Sequence, residues 1–295
     1  GSGYERAWTQ LMDPEGFFAP YGPTTAEQRH PGFSISYQGH ECQWNGPSWP
    51  MATSITLTAL ANVLNHYQQD AVRKRDYFET LQIYTRSHTR QRDDGKIVPW
   101  IDENLNPYTG DWIARTRLES WQDGTWSAQK GGKERGKDYN HSSYNDLIIT
   151  GLVGLRPRPD DVVEVNPLLP AGMWDYFCLD NVLYRGRILT IVWDRTGRKY
   201  GRGKGLTVLV DGEKIAHSVK LTRLTARLAL QAGFLPTLDR TLSTVTVNRM
   251  RIMPNTCRAP SRSWRIRKPQ SDAVTGSSMA TTEATAGVVW WRPTI

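Results

Sequence analysis

The chain has 295 residues, 38% of them hydrophobic, and a mean hydropathy of −0.55; with no apolar run near the roughly 18 residues of a membrane span, a membrane-embedded protein is excluded. The length is enough for two modest domains, each burying its own core. The net charge of +8 suggests a polyanion partner, but residues 221–295 hold eleven basic side chains against three acidic ones, so the first 220 residues balance to zero.

The first fifty residues are dense in Pro14, Gly16, Phe17, Phe18, Pro20, Tyr21, Gly22, Pro23, Pro31 and Gly32 and carry no persistent period. They read as a long shaped loop, and long loops in compact proteins are usually functional. From Met51 the pattern changes: Leu57, Leu60, Ala61 and Leu64 follow helical spacing and Pro50 suits a first turn, which predicts a helix over 51–68. Tyr77, Leu81, Tyr84 and His88 predict a second helix over 72–88 packed on the first as an αα-hairpin. A polar, Gly-rich stretch over 90–137 carries Trp100, Trp112, Trp121 and Trp126. Tyr144, Leu147, Ile148, Gly151 and Leu155 then mark a third helix, ended by Pro157 and Pro159.

Beyond Asp160 the period drops to two: Val163 and Val165, Leu183, and the run Ile188 to Trp193 read as strands. Asp211-Gly212 between Leu206–Val210 and Glu213–Ile215 is a hairpin signal, because Asp-Gly accepts the positive φ of a two-residue turn. The expectation is mainly helical hairpins over 1–158, then a β-sandwich domain over 159–222. Residues 223–295 fit neither. They read as a basic tail, either disordered or translated out of frame, with the second reading preferred. Three scattered cysteines, Cys42, Cys178 and Cys257, fit neither a disulfide framework nor a zinc cluster and read as separate thiols. The six histidines have no metal-ligand spacing, and Gly201-Arg202-Gly203-Lys204-Gly205 lacks the length and Ser/Thr of a P-loop, so no metal and no cofactor is expected.

Carboxylates and accessible aromatics together indicate where carbohydrate chemistry could sit, since glycosidic hydrolysis needs two carboxyl groups across the bond. Trp100-Ile101-Asp102-Glu103-Asn104 places two adjacent carboxylates between an aromatic and the turn Asn106-Pro107-Tyr108-Thr109-Gly110. Trp44-Asn45-Gly46-Pro47-Ser48-Trp49 leads into the first helix with two flat apolar faces. Tyr139-Asn140-His141 supplies polar groups before the third helix.

The order Pro20-Tyr21-Gly22, Gln43 to Pro50 and Glu103 to Gly110 resembles the C-terminal third of six-hairpin glycosidases, closest to glycoside hydrolase family 63 and mannosylglycerate hydrolase-like proteins. The resemblance covers about residues 15–155, and the strands that follow look like the β-sandwich attached to several such enzymes. It implies an (α/α)6 toroid, an inverting mechanism with Glu103 as general base and Asp102 as fallback, and sugar contacts from Trp44, Asn45, Gly46, Trp49, Trp100, Asn104, Tyr139 and His141. Leu105 stands where the family has Tyr. The implied general acid is an Asp upstream of the tryptophan segment. Asp13, Glu15, Glu27 and Glu41 do not match it, so the chain is expected to be an inactive fragment whose partner is a carbohydrate. Two readings compete: a non-catalytic carbohydrate-binding protein using the same tryptophans, and nucleic-acid binding through Arg258, Arg262, Arg265 and Arg267 of the tail.

Overall fold

The computed structural model describes residues 3–37, 43–92, 94–114 and 143–228. The expected helical hairpin is present, with both helices slightly shorter than their patterns. Helix α1 spans Pro50–His66, with Pro50 in the first turn where its missing N–H costs nothing. Helix α2 spans Lys74–Ser87; its start is held by the Asp76 carboxylate, which accepts the Arg73 N–H at 2.7 Å. Between them Gln69 closes a local loop, accepting the Val72 N–H at 2.9 Å and donating to the Val72 carbonyl at 3.0 Å. That side chain satisfies backbone groups a continued helix would have used. Leu57, Leu60 and Ala61 of α1 face Tyr77, Phe78, Leu81 and Tyr84 of α2, all buried.

Two elements lie where only loops are expected. Glu5–Met12 forms a 3-10 helix whose Leu11 is buried, with Trp8 and Met12 packed against the core. Strands β1 (Thr89–Gln91) and β2 (Ile97–Pro99) form a short antiparallel hairpin after α2.

The third helix takes an unexpected form. Helix α3 (Tyr144–Asp146) passes directly into a π-helix over Leu147–Leu152. The Val153 N–H reaches the Ile148 carbonyl at 2.8 Å and the Gly154 N–H the Ile149 carbonyl at 3.0 Å, both five residues back. Tyr77 of α2 donates its hydroxyl to the Leu147 carbonyl at 2.8 Å, and burial pushes its ionisation upward. The helix stops before Leu155, which opens a strand.

Two antiparallel sheets complete the described chain. Strands β3 (Leu155–Arg156), β4 (Val162–Val165) and β9 (Leu224–Arg227) form one, and β5 (Tyr176–Tyr184), β6 (Arg187–Asp194), β7 (Gly205–Val210) and β8 (Glu213–Ser218) form the other, in sequential order. The expected Asp211-Gly212 turn joins β7 to β8 with φ of 50° and 88°. Regular pairing extends past residue 222: β9 runs along β4, Arg223 pairs with Glu164 at 2.9 Å, and Leu228 is buried. Cys178, buried on β5, is disulfide-bonded, which corrects the reading of three separate thiols. One apolar cluster runs from Leu57 and Tyr77 through Leu152 to Val165, Ile191 and Val208, so helices and sheets share a core. Among the described residues no helix is long and apolar enough to cross a membrane.

Candidate active site

Three separated segments meet around Ser48. Its backbone exchanges both hydrogen bonds with Leu105, at 2.9 and 3.0 Å, an isolated antiparallel bridge. Gly22, at φ +138°, lies so close that a Cβ there would stand 2.3 Å from Ser48 Oγ. The Tyr21 N–H donates to the Pro107 carbonyl at 2.9 Å. The stretches at 20–22, 43–50 and 103–110 therefore form one unit, although Tyr21 and Pro107 are 86 positions apart in the chain.

The loop carrying Glu103 is shaped by its own polar groups. Asn106 Oδ1 accepts the Tyr108 N–H at 2.9 Å and the Thr109 N–H at 3.4 Å, closing an Asx turn. Gly110 follows at φ +81°, and a Cβ there would meet the Tyr21 ring at 2.6 Å, so glycine is required twice over. Leu105 is 1% exposed and packs with Ile101 and Trp112. The position where the family has Tyr therefore points into the protein, and Leu105 takes no group away from the solvent side.

The two adjacent carboxylates occupy different environments. Asp102 is fully buried; its Oδ1 accepts the Glu103 N–H at 2.9 Å and its Oδ2 the Trp100 indole N–H at 3.4 Å. Glu103 is half-buried. It sits at a bend between buried neighbours and is the more accessible carboxylate. Asn104 is buried and its carbonyl accepts the Ile113 N–H at 3.1 Å.

The aromatic pair is equally unequal. Trp44 and Trp49 stack at 4.1 Å with an interplanar angle of 19°. Trp44 is 50% exposed, whereas Trp49 is 2% exposed and donates its indole N–H to the Gln43 carbonyl at 2.6 Å. Only Trp44 offers a broad face to solvent. Asn45 is exposed and donates to the Gly32 carbonyl at 3.1 Å; Gly46 is buried, its N–H on Thr25 Oγ1 at 3.2 Å. Trp100 is half-buried, with the Arg90 guanidinium 5.3 Å from its ring centre. Tyr139 and His141 lie outside the described residues.

Sequence reasoning missed three aromatic groups at this rim. Tyr21, Tyr37 and Tyr108 are 37%, 38% and 44% exposed. The Tyr37 hydroxyl receives Asn106 Nδ2 at 2.9 Å and donates to Asp111 Oδ2 at 3.3 Å, while the Tyr108 hydroxyl donates to Gln28 Oε1 at 2.5 Å. The available signal for Tyr21 and Tyr37 was the aromatic density of the first fifty residues, which does not say which ring reaches the surface; Tyr108 stood in the Asn106 to Gly110 turn.

Residues 1–142 match the family described as mannosylglycerate hydrolase MGH1-like glycoside hydrolase domain, and residues 155–217 match glycosyl hydrolase family 65, C-terminal domain. A solved structure titled "Sialidase" is 46% identical over 78% of this chain and 19% of its own, with a TM-score of 0.66. The chain thus spans about a fifth of that structure's length.

Proposed function

From a chain that resembles mannosylglycerate hydrolase-like glycosidases over its first 142 residues, we propose that the Ser48–Leu105 unit is part of a glycoside hydrolase active site, with Glu103 as the general base of an inverting hydrolysis. In this reading the α1–α2 hairpin belongs to an (α/α)6 toroid, and the general acid is a carboxyl group outside these 295 residues. The observation that carries the proposal is the convergence of the three segments, which puts the half-buried Glu103 on the same small unit as the exposed face of Trp44.

In an inverting step water attacks the anomeric carbon as the glycosidic bond breaks, Glu103 takes the water proton, and the acid protonates the departing oxygen. Asp102 does not suit the base role, since its oxygens accept hydrogen bonds in a buried setting. It holds the Glu103 backbone. Trp44 stacks on a sugar face, with Trp49 beneath it as a rigid support. Tyr139, His141, Trp100, Asn104, Asn45 and Gly46 remain proposed contributors to the sugar-binding walls.

Glycosyl fluorides test this on the chain as it stands, because fluoride leaves without a proton from a general acid. A panel of them should release fluoride and give the inverted anomer by NMR, with Glu103→Gln removing the activity. Fluoride release unchanged in Glu103→Gln would sink the base assignment. The exposed Trp44 also favours a second reading, a carbohydrate-binding protein without turnover. Saturable oligosaccharide binding with no fluoride release by the wild-type chain would select it.

A further inference from the structure

The loop between β6 and β7 is a basic corner unrelated to the Glu103 unit. Residues 195–204 hold Arg195, Arg198, Lys199, Arg202 and Lys204 and no acidic residue. Asp175 is engaged by Arg195 in a two-pronged pair at 2.6 and 3.0 Å. Asp194 is 1% exposed and turned inward, where it accepts backbone N–H groups of Thr196, Gly197, Lys199 and Tyr200 at 2.7 to 3.1 Å. These four bonds hold the loop in one shape; burial alone would raise the Asp194 carboxyl, but the four N–H groups outweigh it and leave that carboxyl below its ordinary range.

A second segment adds to the charge. The antiparallel register pairs Leu206 with Ser218 and sets Gly205 against Val219, which brings Lys204 and Lys220 to the same end of the sheet. Arg198, Lys199, Arg202, Lys204 and Lys220 are all exposed. Among the described residues, Arg198, Arg202, Lys204 and Lys220 form no ion pair with a carboxylate. The body of the chain is neutral in sum, so this corner is a local excess and not part of a general basic bias.

We propose that this corner binds an acidic polysaccharide, a chain bearing sulfate or carboxylate groups, through Arg198, Arg202, Lys204 and Lys220. A polysaccharide fits better than a nucleic acid because the exposed ring at the corner, Tyr176, is already engaged by Lys199 over its face and by Tyr200 edge-on. Lys199 Nζ already stands 4.6 Å over the Tyr176 ring and Tyr200 is buried, whereas single-stranded nucleic acid sites combine cations with open aromatic rings. The site would hold a charged chain on the sheet end of the molecule whether or not Glu103 is catalytic.

The test uses the full chain and a heparin decasaccharide, with a neutral dextran fragment and a single-stranded DNA of equal charge as comparisons. The triple variant Arg198→Ser/Arg202→Ser/Lys204→Ser should bind the decasaccharide at least tenfold more weakly. Its log affinity should also vary less steeply with log salt, by about two units for three lost cations. A second variant, Arg258→Ser/Arg262→Ser/Arg265→Ser/Arg267→Ser, should keep the loop-dependent part of the binding. Should the triple variant fail to fold, Arg202→Gln and Lys204→Gln singly should each weaken binding about twofold. The proposal is overturned if the decasaccharide does not bind at physiological salt, if loop variants bind like the wild type while the tail variant does not, or if the DNA binds more tightly than the decasaccharide.

Discussion

Ser48 and Leu105 exchange both of their backbone hydrogen bonds, although 57 positions apart, and both residues are buried. The bridge makes the loop that carries Glu103 and the segment that carries Trp44 move as one piece. The packing of Gly22 on Ser48 Oγ should therefore govern both. Gly22→Ala adds a Cβ at positive φ against that hydroxyl, and the expected cost is roughly 1–3 kcal/mol, seen as a lower midpoint in urea unfolding. A midpoint equal to wild type would mean the two segments are not coupled through this contact.

The two carboxylates should separate cleanly by mutation. Glu103→Gln keeps shape but loses the basic lone pair, so kcat should fall at least about 10²-fold with KM little changed. Asp102→Asn keeps an oxygen for the Glu103 N–H and should cost less, while Asp102→Ala removes that acceptor and should lower kcat without raising KM. Measured in an enzyme that also supplies the acid, a normal rate in Glu103→Gln with none in Asp102→Asn would shift the base by one residue. The acid carboxyl should lie roughly 6.5–9.5 Å from Glu103 in that protein.

The stacked tryptophans differ in burial, and their replacement should differ in kind. Trp44→Ala should weaken oligosaccharide binding about tenfold, equivalent to about 1.4 kcal/mol, with thermal stability almost unchanged. Trp49→Ala empties a buried site and should cost roughly 3–5 kcal/mol of stability. Equal losses of stability for the two would contradict the stacking platform.

Acid sensitivity should centre on Arg158. Its hydrogen bonds hold the Asp160 carboxyl down to about 2, against a usual 3.8. Burial alone would raise Glu164, but Arg158 and Arg223 outweigh it and leave that carboxyl below its usual 4.5. A carboxyl with a depressed folded value stabilises the fold fully above its unfolded value and loses that contribution as pH falls through the folded one. Stability should therefore decline between about pH 4 and pH 2, and Asp160→Asn should flatten that decline in a pH series of unfolding midpoints.

The contribution of β9 can be tested by truncation. A chain ending at Leu228 keeps β9 on β4 and the Arg223–Glu164 pair; one ending at residue 222 loses both and bares a strand edge. The shorter chain should melt at a lower temperature and associate in sedimentation experiments. Identical behaviour of the two would return the boundary to 222.

The sequence was most informative where one local rule decides the outcome. Pro50 and the Leu57-Leu60-Ala61 spacing mark α1, and Asp211-Gly212 marks its hairpin, because a first-turn proline and a positive-φ pair each have few alternatives. The π-helix was not legible. Spacing over Tyr144 to Gly151 reports an apolar face, and that face is the same whether the N–H groups reach back four residues or five. Sequence puts Asp102 and Glu103 side by side as candidates, and only the folded loop shows that Glu103 is the more accessible of the two. The same holds for Trp44 and Trp49: two equivalent indoles in sequence, one of which the fold places over the other.

The core that helices and sheets share limits how such chains can be recombined. The helical part and the strands match two differently named families, which suggests parts that could be exchanged between genes. Yet Phe78 of α2 meets Trp174 edge-on at 5.9 Å, Lys74 donates to the Pro167 carbonyl at 2.6 Å, and Asn166 donates to Asn65 at the same distance. A crossover between the π-helix and β3 would strip apolar surface from both products and leave the Lys74 ammonium without its acceptor. Viable chimeras of this architecture would have to inherit the Glu5–Met12 helix, the Ser48 segment, α1, α2, the π-helix and the sheets as one block.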